Sequence, residues 1–251
     1  MMQAYRTLVR REIGIHFLSW SGYMVIASTV FLTGLSMVIL IESLGGEPTH
    51  RPLTELFFYS FSFWLVLLLA PPVITMRTFA LEKSSGTFET LMTTLVSDTA
   101  VVLAKFTGAM VVYMVLWLPL IPCLWLIRKF CHDPGVLDVG ALGSAFTGIY
   151  LVGMVFVSMG CLSSAMTRSQ TVAAVISFCA GAAMLMVGFL SMAFSGEATP
   201  RGVVLSQLSL IEQMQDFAAG VVDTRAVVLY LSLTVFFLFF TKRVVESRRW
   251  K

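Results

Sequence analysis

The stretch that decides the fold is PPVITMRTFALEKSSGTFETL, which runs from Pro71 to Leu91. Residues 56–70 before it form an apolar run without a charge, and the only charge in residues 101–127 after it is Lys105. Apolar runs of this length favour membrane-spanning helices, so the charged, helix-capable stretch between them is expected at a membrane surface. In so apolar a chain, it is the segment best placed to act as a lever for a soluble partner.

The composition is that of a membrane protein. The chain has 251 residues, of which 57% are apolar and only 12% charged, and its mean hydropathy is +0.87. A soluble domain has about 25% charged residues, so this chain has too few polar side chains to cover a globule in water. Its four cysteines form no CxxC pair, which argues against a disulfide framework or a zinc site. The sequence therefore predicts one all-α integral membrane domain over residues 1–251.

Six stretches are long and apolar enough to span a bilayer. The predicted spans cover about 23–41, 56–76, 100–127, 140–162, 171–192 and 226–245. Residues 1–20 do not qualify, but their apolar residues recur at helical spacing while Arg6, Arg10 and Arg11 lie off that stripe. This pattern predicts an elbow helix in the membrane interface, and the alternative is a simple cytoplasmic overhang.

Prolines and caps indicate where spans bend or begin. Pro71 and Pro72 each lack a backbone N–H, so span two is expected to kink or break there, and the two residues are candidate hinges. Pro119 and Pro122 are expected to bend or end span three. Either Ser97 or Asp98 can cap the start of that span.

Three further segments are given a role. Residues 84–95 can form a short helix between spans two and three. On span five, Ala173, Ser177 and Gly181 form a stripe of small residues that predicts close contact with another helix. The long outer loop, 193–225, is expected to contain a short amphipathic helix. Its apolar positions are Leu208, Ile211, Met214, Phe217 and Val221.

Charge asymmetry predicts the orientation. With six spans, twelve of the seventeen Lys and Arg residues fall on the side of the two termini. By the positive-inside rule, both termini and the lever segment should face the cytoplasm. Lys105 lies near the inner end of span three and is expected to snorkel to the interface.

The sequence has none of the motifs that would make it an enzyme. It contains no G-x-x-x-x-G-K-[ST] phosphate-binding loop, so no ATP site of its own is expected. His16, His50 and His132 are scattered, and no ionisable residue lies in the middle of a span as an ion relay would require. We therefore predict no catalytic residue, no metal site, no bound cofactor and no nucleic-acid partner.

Two groups of residues resemble a known family, the permeases of ABC-2 type transporters. The first is Pro71-Pro72-x-x-Thr75-Met76-Arg77-x-Phe79-Ala80-x-Glu82-Lys83-x-x-Gly86-Thr87-x-Glu89-x-Leu91. The second, which is similar to the gliding-motility (Gld-type) branch, comprises Asp216-Phe217-x-x-Gly220-Val221-Val222-Asp223-Thr224-Arg225 and Glu246-Ser247-Arg248-Arg249-Trp250. Two residues depart from the family pattern: Leu81 replaces a second acidic residue, and Leu95 replaces a proline.

The resemblance implies a six-span permease in a bacterial inner membrane, which pairs with a second copy or a related permease. It also implies that the helix at 84–95 docks on a separate ATP-binding subunit, which would hold the ATP and Mg²⁺. The coupling residues carried over are Glu82, Gly86, Thr87, Phe88, Glu89 and Leu91.

Phe88 and Leu91 are expected to be apolar anchors and Glu89 a polar contact; the alternative is that they only pack their own loop. The expected function is therefore an exporter-type permease subunit in contact with membrane lipid. One alternative is an ABC-type scaffold that uses ATP hydrolysis for mechanical or signalling work, as in gliding or envelope complexes, with further envelope subunits as partners. The other is an ATP-independent carrier or membrane enzyme.

Overall fold

The computed structural model describes residues 2–44, 53–88, 97–130, 139–194 and 206–247. Within these ranges the chain forms helices and no strand. The helices are α1 Met2–Phe17, α2 Trp20–Leu44, α3 Leu53–Tyr59, α4 Phe61–Thr75, α5 Ala80–Ser84, α6 Asp98–Trp117, α7 Leu120–Phe130, α8 Val139–Met166, α9 Gln170–Phe194, α10 Leu210–Ala218 and α11 Thr224–Ser247.

Six helical stretches in the described ranges are long and apolar enough to cross a membrane. They are Gly22–Ser43, Phe61–Ser84, Asp98–Trp125, Gly140–Met166, Gln170–Ser191 and Thr224–Ser247. Each overlaps one of the six spans predicted from the sequence, so the prediction of an all-helical chain with six helices long and apolar enough to span a membrane is confirmed. The interfacial position of α1 and the helix predicted at 84–95 remain predictions.

Of the two outcomes predicted for span two at its prolines, a kink or a break, the break does not occur, and the kink stays a prediction. Helix α4 passes through Pro71 and Pro72, both of them buried, and ends at Thr75. The next turn is held by hydrogen bonds to the proline carbonyls: Thr75 Oγ1 donates to Pro71 O at 2.7 Å and Met76 N to Pro72 O at 2.9 Å. Packing around these residues thus keeps the helix intact although each proline removes one backbone donor.

Span two instead starts later than predicted. The helical stretch is interrupted at Ser60, between α3 and α4, and the Ser60 hydroxyl accepts a hydrogen bond from Phe63 N at 3.3 Å and so caps α4. Span three breaks at Pro119 as expected, because α6 ends at Trp117 and α7 begins at Leu120, whereas Pro122 lies inside α7 and does not end the helix. Ser97, not Asp98, caps the start of α6 by accepting from Ala100 N.

Helix α8 lies at the centre of the bundle. Its spanning window is 72% buried, and those of spans two and three are 61% and 67% buried, against only 22–28% for α2, α9 and α11. Glycines allow the close packing around α8: a Cβ at Gly153 would lie 2.1 Å from Tyr113 Cε1, and one at Gly160 would lie 2.1 Å from Thr75 Oγ1. The apolar outer sides of α2, α9 and α11 suit contact with lipid.

The stripe of small residues on α9 faces the bundle. Ala173, Ser177 and Gly181 are all buried. A Cβ at Gly181 would lie 2.9 Å from Phe156 Cε1 on α8 and 3.2 Å from Leu68 Cδ1 on α4. The backbone of α9 therefore approaches two helices closely at this point.

The bundle has two chemically different ends. The α1 end, as we call it, carries α1, α5, the last turn of α8 and the first turn of α9. The opposite end carries α3 and α10. Helix α10 lies against protein: Ile211, Met214 and Phe217 are at most 6% exposed, whereas Leu208 and Val221 are 44% and 58% exposed.

Candidate functional site

The segment with the predicted coupling residues begins as an ordered turn at the α1 end. Helix α5 ends at Ser84, Gly86 adopts a φ of +75°, and a further helical turn begins at Thr87. Glycine is suited to this left-handed conformation because it has no Cβ. Residues 84–87 are exposed, whereas Glu89 and Leu91 lie outside the described residues.

Phe88 faces its own chain. It is only 7% exposed and belongs to the apolar core, and Lys83 Nζ lies 5.2 Å from the centre of its ring. The Lys83 ammonium also donates to the carbonyl of Ala165 at the end of α8. In this conformation Phe88 fixes the segment to the bundle and does not present an apolar anchor to a partner, which corresponds to the alternative reading of this residue.

Glu82 is part of a charged junction, which we define as Arg11, Glu12, Glu82 and Lys105. Lys105 Nζ lies 3.0 Å from Glu12 Oε1 and 3.0 Å from Glu82 Oε1. Arg11 Nη2 lies 3.1 Å from Glu12 Oε1 and also pairs with Glu82 Oε1. Two cations and two carboxylates thus connect α1, α5 and α6 with no net charge.

Lys105 does not snorkel, so that prediction is wrong. Its side chain is 3% exposed, and besides its two carboxylate partners it donates to Thr78 O at 2.6 Å. The ring of Phe79 also lies 5.2 Å from the ammonium. A buried ammonium is tolerated only when its donors are satisfied, and here three oxygens satisfy them.

Helix α1 is docked on α6 by its polar residues. Glu12 and His16 are only 4% and 9% exposed, less than the residues of the predicted apolar stripe, which are Tyr5, Leu8, Val9, Ile13, Phe17 and Trp20. Gly108 allows the approach, because a Cβ there would lie 2.7 Å from Glu12 Cβ. Two turns of α1 before Glu12, Tyr5 Oη lies 2.7 Å from Thr107 Oγ1.

His16 lies beside this junction as a buried imidazole. Burial lowers the pKa of His16 below its usual value of 6.5, the Glu12 carboxylate opposes that shift, and the positive charges of Arg77 and Lys105 add to it. The neutral imidazole is therefore favoured at neutral pH. A proton added to His16 would place a third cation beside the two of the junction.

A hydroxyl on α8 holds the turn that leads from α4 to α5. Ser164 Oγ accepts hydrogen bonds from Phe79 N and Ala80 N, both at 3.0 Å, and donates to Met76 O at 3.2 Å. Ser164 is fully buried. Because Ser164 binds three backbone groups, the turn cannot move without either moving α8 or breaking these bonds.

Taken together, these contacts attach the segment after span two to three helices. It is bonded to α1 and α6 through charges and to α8 through Ser164. Within the described ranges no group of three or more His, Cys, Asp or Glu side chains is placed to hold a metal ion. The contacts that hold the segment are ion pairs and hydrogen bonds.

The sequence singled out Glu82 but missed Glu12, His16 and Ser164. A signal for Glu12 was present, since a lone Lys105 in an apolar run calls for a nearby carboxylate. Ser164 gives no such signal, because small hydroxyl residues are common in spanning helices. Comparison with known proteins found no family model that matches the chain and no matching curated protein.

Proposed function

We propose that this chain is the transmembrane permease subunit of an exporter-type ABC transporter. A separate ATP-binding subunit would drive it through residues 84–95. The chain would lie in a bacterial inner membrane with both termini in the cytoplasm, paired with a second copy or a related permease. The resemblance of the 71–91 stretch supports the family, and the six apolar helices fit its architecture.

The observation that carries the proposal is the way the segment is attached. Its tip, residues 84–87, is exposed, while its base is bonded to α1, α6 and α8. A partner that moved the tip would therefore act on three helices at once. Since packed interfaces respond to such a displacement as units, the segment is suited to transmit closure of an ATPase to the spans.

Two of the residues predicted to contact the ATP-binding subunit, Glu82 and Phe88, are assigned a role inside the chain instead. Glu82 and Phe88 hold the base of the segment to the bundle, as their contacts with Lys105 and Lys83 indicate. The contact with the partner is then left to the exposed Gly86 and Thr87 and to the residues that follow, including Glu89 and Leu91. Pro71 and Pro72 remain the proposed hinge, now inside a continuous helix.

Co-purification from native membranes in mild detergent tests this function. An ATP-binding protein should accompany the wild-type chain and be lost from Thr87→Arg and Glu89→Lys variants, because a bulky or reversed charge blocks the docking surface. Ser247→Arg is the matched control, since Ser247 is also exposed but ends α11. Thr87→Arg should be as monodisperse as wild type, because Thr87 is exposed and its hydroxyl bonds only within its own turn.

The outcomes separate the alternatives. A wild-type chain that purifies without any ATP-binding protein, even after crosslinking in the membrane, would overturn the ABC assignment. An ATP-binding protein retained by both the Thr87→Arg and Glu89→Lys variants would overturn the role of the segment. Loss from Ser247→Arg as well would show that the effect is not specific to the segment.

A further inference from the structure

One surface of α1 has no role in the proposed coupling. Arg6, Arg10, Ile13 and Phe17 follow one another at spacings of four, three and four residues, so they lie along a single ridge of the helix. We call these four residues the arginine ridge. The face of α1 that docks on α6 is a different one, and Arg11, which pairs with α5, lies on the other side of that buried face.

The two arginines of the ridge are available to an anion. Arg6 and Arg10 are exposed, and neither makes an ion pair or a hydrogen bond within the described residues. Glu12, the only acidic residue of α1, is buried against Lys105 and so does not compete for them. Side chains four residues apart on a helix are neighbours, with about 5–6 Å between their Cβ atoms. Both guanidinium groups can therefore reach the same phosphate, a group that arginine binds with two parallel hydrogen bonds.

The ridge runs toward the first spanning stretch. That stretch begins at Gly22, and α1 ends at Phe17, five residues earlier. Trp20 and Tyr23, at the start of α2, are 82% and 61% exposed. Such aromatic side chains are enriched at the headgroup level of membranes, so their exposure fits a turn at that depth. Arg10 lies about 10 Å before Phe17 along the helix axis, so the ridge passes from a charged end to an apolar end beside the span.

The charges around the ridge favour the same kind of partner. When each spanning helix is counted by its nearer end, Lys and Arg outnumber Asp and Glu by nine to four among the described side chains of the α1 end. At the opposite end they are outnumbered by two to five. A membrane leaflet with anionic lipids attracts such basic surface, so charge complementarity selects an anionic lipid for the α1 end.

We propose that the arginine ridge binds an anionic phospholipid, with the phosphate between Arg6 and Arg10 and an acyl chain along Ile13 and Phe17. The partner is a lipid and not a free phosphate, because the ridge continues as partly exposed apolar surface where the acyl chain lies. This binding does not rest on the proposed function, since it requires α1 at the membrane surface but no ATP-binding subunit. The lipid holds α1, and with it the Glu12 side of the charged junction, at headgroup depth.

Native mass spectrometry of the full chain released from detergent micelles tests the proposal, with phosphatidylglycerol and phosphatidylcholine of identical acyl chains as the probes. We expect phosphatidylglycerol to bind about thirtyfold more tightly, because each arginine contributes about fivefold toward an anionic lipid. Replacing both arginines, Arg6→Gln with Arg10→Gln, should abolish this preference. Excess inorganic phosphate should not displace phosphatidylglycerol, because it has no acyl chain to contact Ile13 and Phe17.

A matched control removes the same charge from the same end of the bundle. Lys242→Gln with Arg243→Gln should keep the preference for phosphatidylglycerol, because both residues already pair with Glu246. The arginine double variant should melt at the wild-type temperature in phosphatidylcholine, and a lower value would show that these arginines have partners in the chain and overturn the proposal. Equal affinity of the wild-type chain for the two lipids, an unchanged preference in the arginine double variant, an equal loss in the control, or displacement by inorganic phosphate would each overturn it as well.

Discussion

The charged junction gives the sharpest prediction, the replacement Lys105→Met. Methionine has a similar length and no charge, so the change removes the ammonium but little volume. The carboxylates of Glu12 and Glu82 then lose the cation that each meets at 3.0 Å, and the carbonyl of Thr78 loses its donor at 2.6 Å. The side chains of Glu12 and Glu82 are only 5% and 13% exposed, so water cannot easily replace the ammonium.

The magnitude follows from these distances. Each pair at 3.0 Å has a Coulomb attraction of about 5.5 kcal/mol at an effective dielectric constant of about 20, and desolvation offsets much of it. Because both oxygens lie 3.0 Å from Nζ, they are at most about 6 Å apart, so the variant leaves a repulsion of at least about 3 kcal/mol between them, which Arg11, still paired with both carboxylates, offsets in part. Adding the unpaired carbonyl, we expect the unfolding free energy to fall by about 3–5 kcal/mol, as for other broken buried pairs.

Unfolding free energies measured by steric trapping in bicelles can test this value. Lys242→Met is the matched control, because Lys242 is 37% exposed in its side chain and pairs with Glu246 at 3.4 Å one turn away. Such surface pairs contribute about 0.3–0.5 kcal/mol, so the control should be nearly neutral. Adding Glu82→Gln to Lys105→Met should recover part of the loss, since it removes the repulsion.

The reasoning would be refuted if Lys105→Met cost less than about 1 kcal/mol, as an exposed pair does. It would also fail if Glu82→Gln gave no recovery in the Lys105→Met background. Either result would mean that the junction is hydrated and that its carboxylates do not depend on Lys105.

Three further predictions concern packing, pH and the hinge. Gly160→Ala places a Cβ 2.1 Å from the side-chain oxygen of Thr75 on α4 and should lower the unfolding free energy by about 1–3 kcal/mol. The control Gly143→Ala on the same helix places its Cβ in open space and should be neutral or slightly stabilising. Equal melting temperatures of the two variants would contradict this prediction. Because the pKa of His16 in the folded state lies below 6.5, the unfolded state binds the proton first as pH falls, so stability should decrease below about pH 6.5. His16→Gln should flatten this dependence of the melting temperature on pH. An unchanged dependence in the variant would show that His16 is not its source. Under the proposed function, replacing Pro71 and Pro72 together by Ala should slow ATP-driven turnover if α4 flexes there, and wild-type turnover would remove the hinge.

The spans could be predicted because lipid imposes a simple local rule. A helix that crosses a bilayer needs about 20 apolar residues, and that length can be read directly from the chain. Caps and breaks were also accessible where local chemistry decides them, as at Ser97 and Pro119. At Pro71 and Pro72 local chemistry was overruled, because buried packing holds α4 together beyond them.

The junction could be predicted only in part. Glu12 and Lys105 are 93 residues apart, so no local pattern pairs them. A lone lysine in a span can either reach the interface or meet a buried carboxylate, and only the tertiary position of α1 decides between these outcomes. The burial of Phe88 depends in the same way on where α5 and α8 place Lys83.

The balance of charge in the junction has an electrical consequence. Arg11 and Lys105 are matched by Glu12 and Glu82, so the four residues form a neutral unit. A transmembrane potential does work only on net charge that is displaced across it, at about 2.3 kcal/mol per elementary charge and 100 mV. Displacement of this unit therefore carries no gating charge, and a step that consists of it should proceed at the same rate in energised and de-energised membranes.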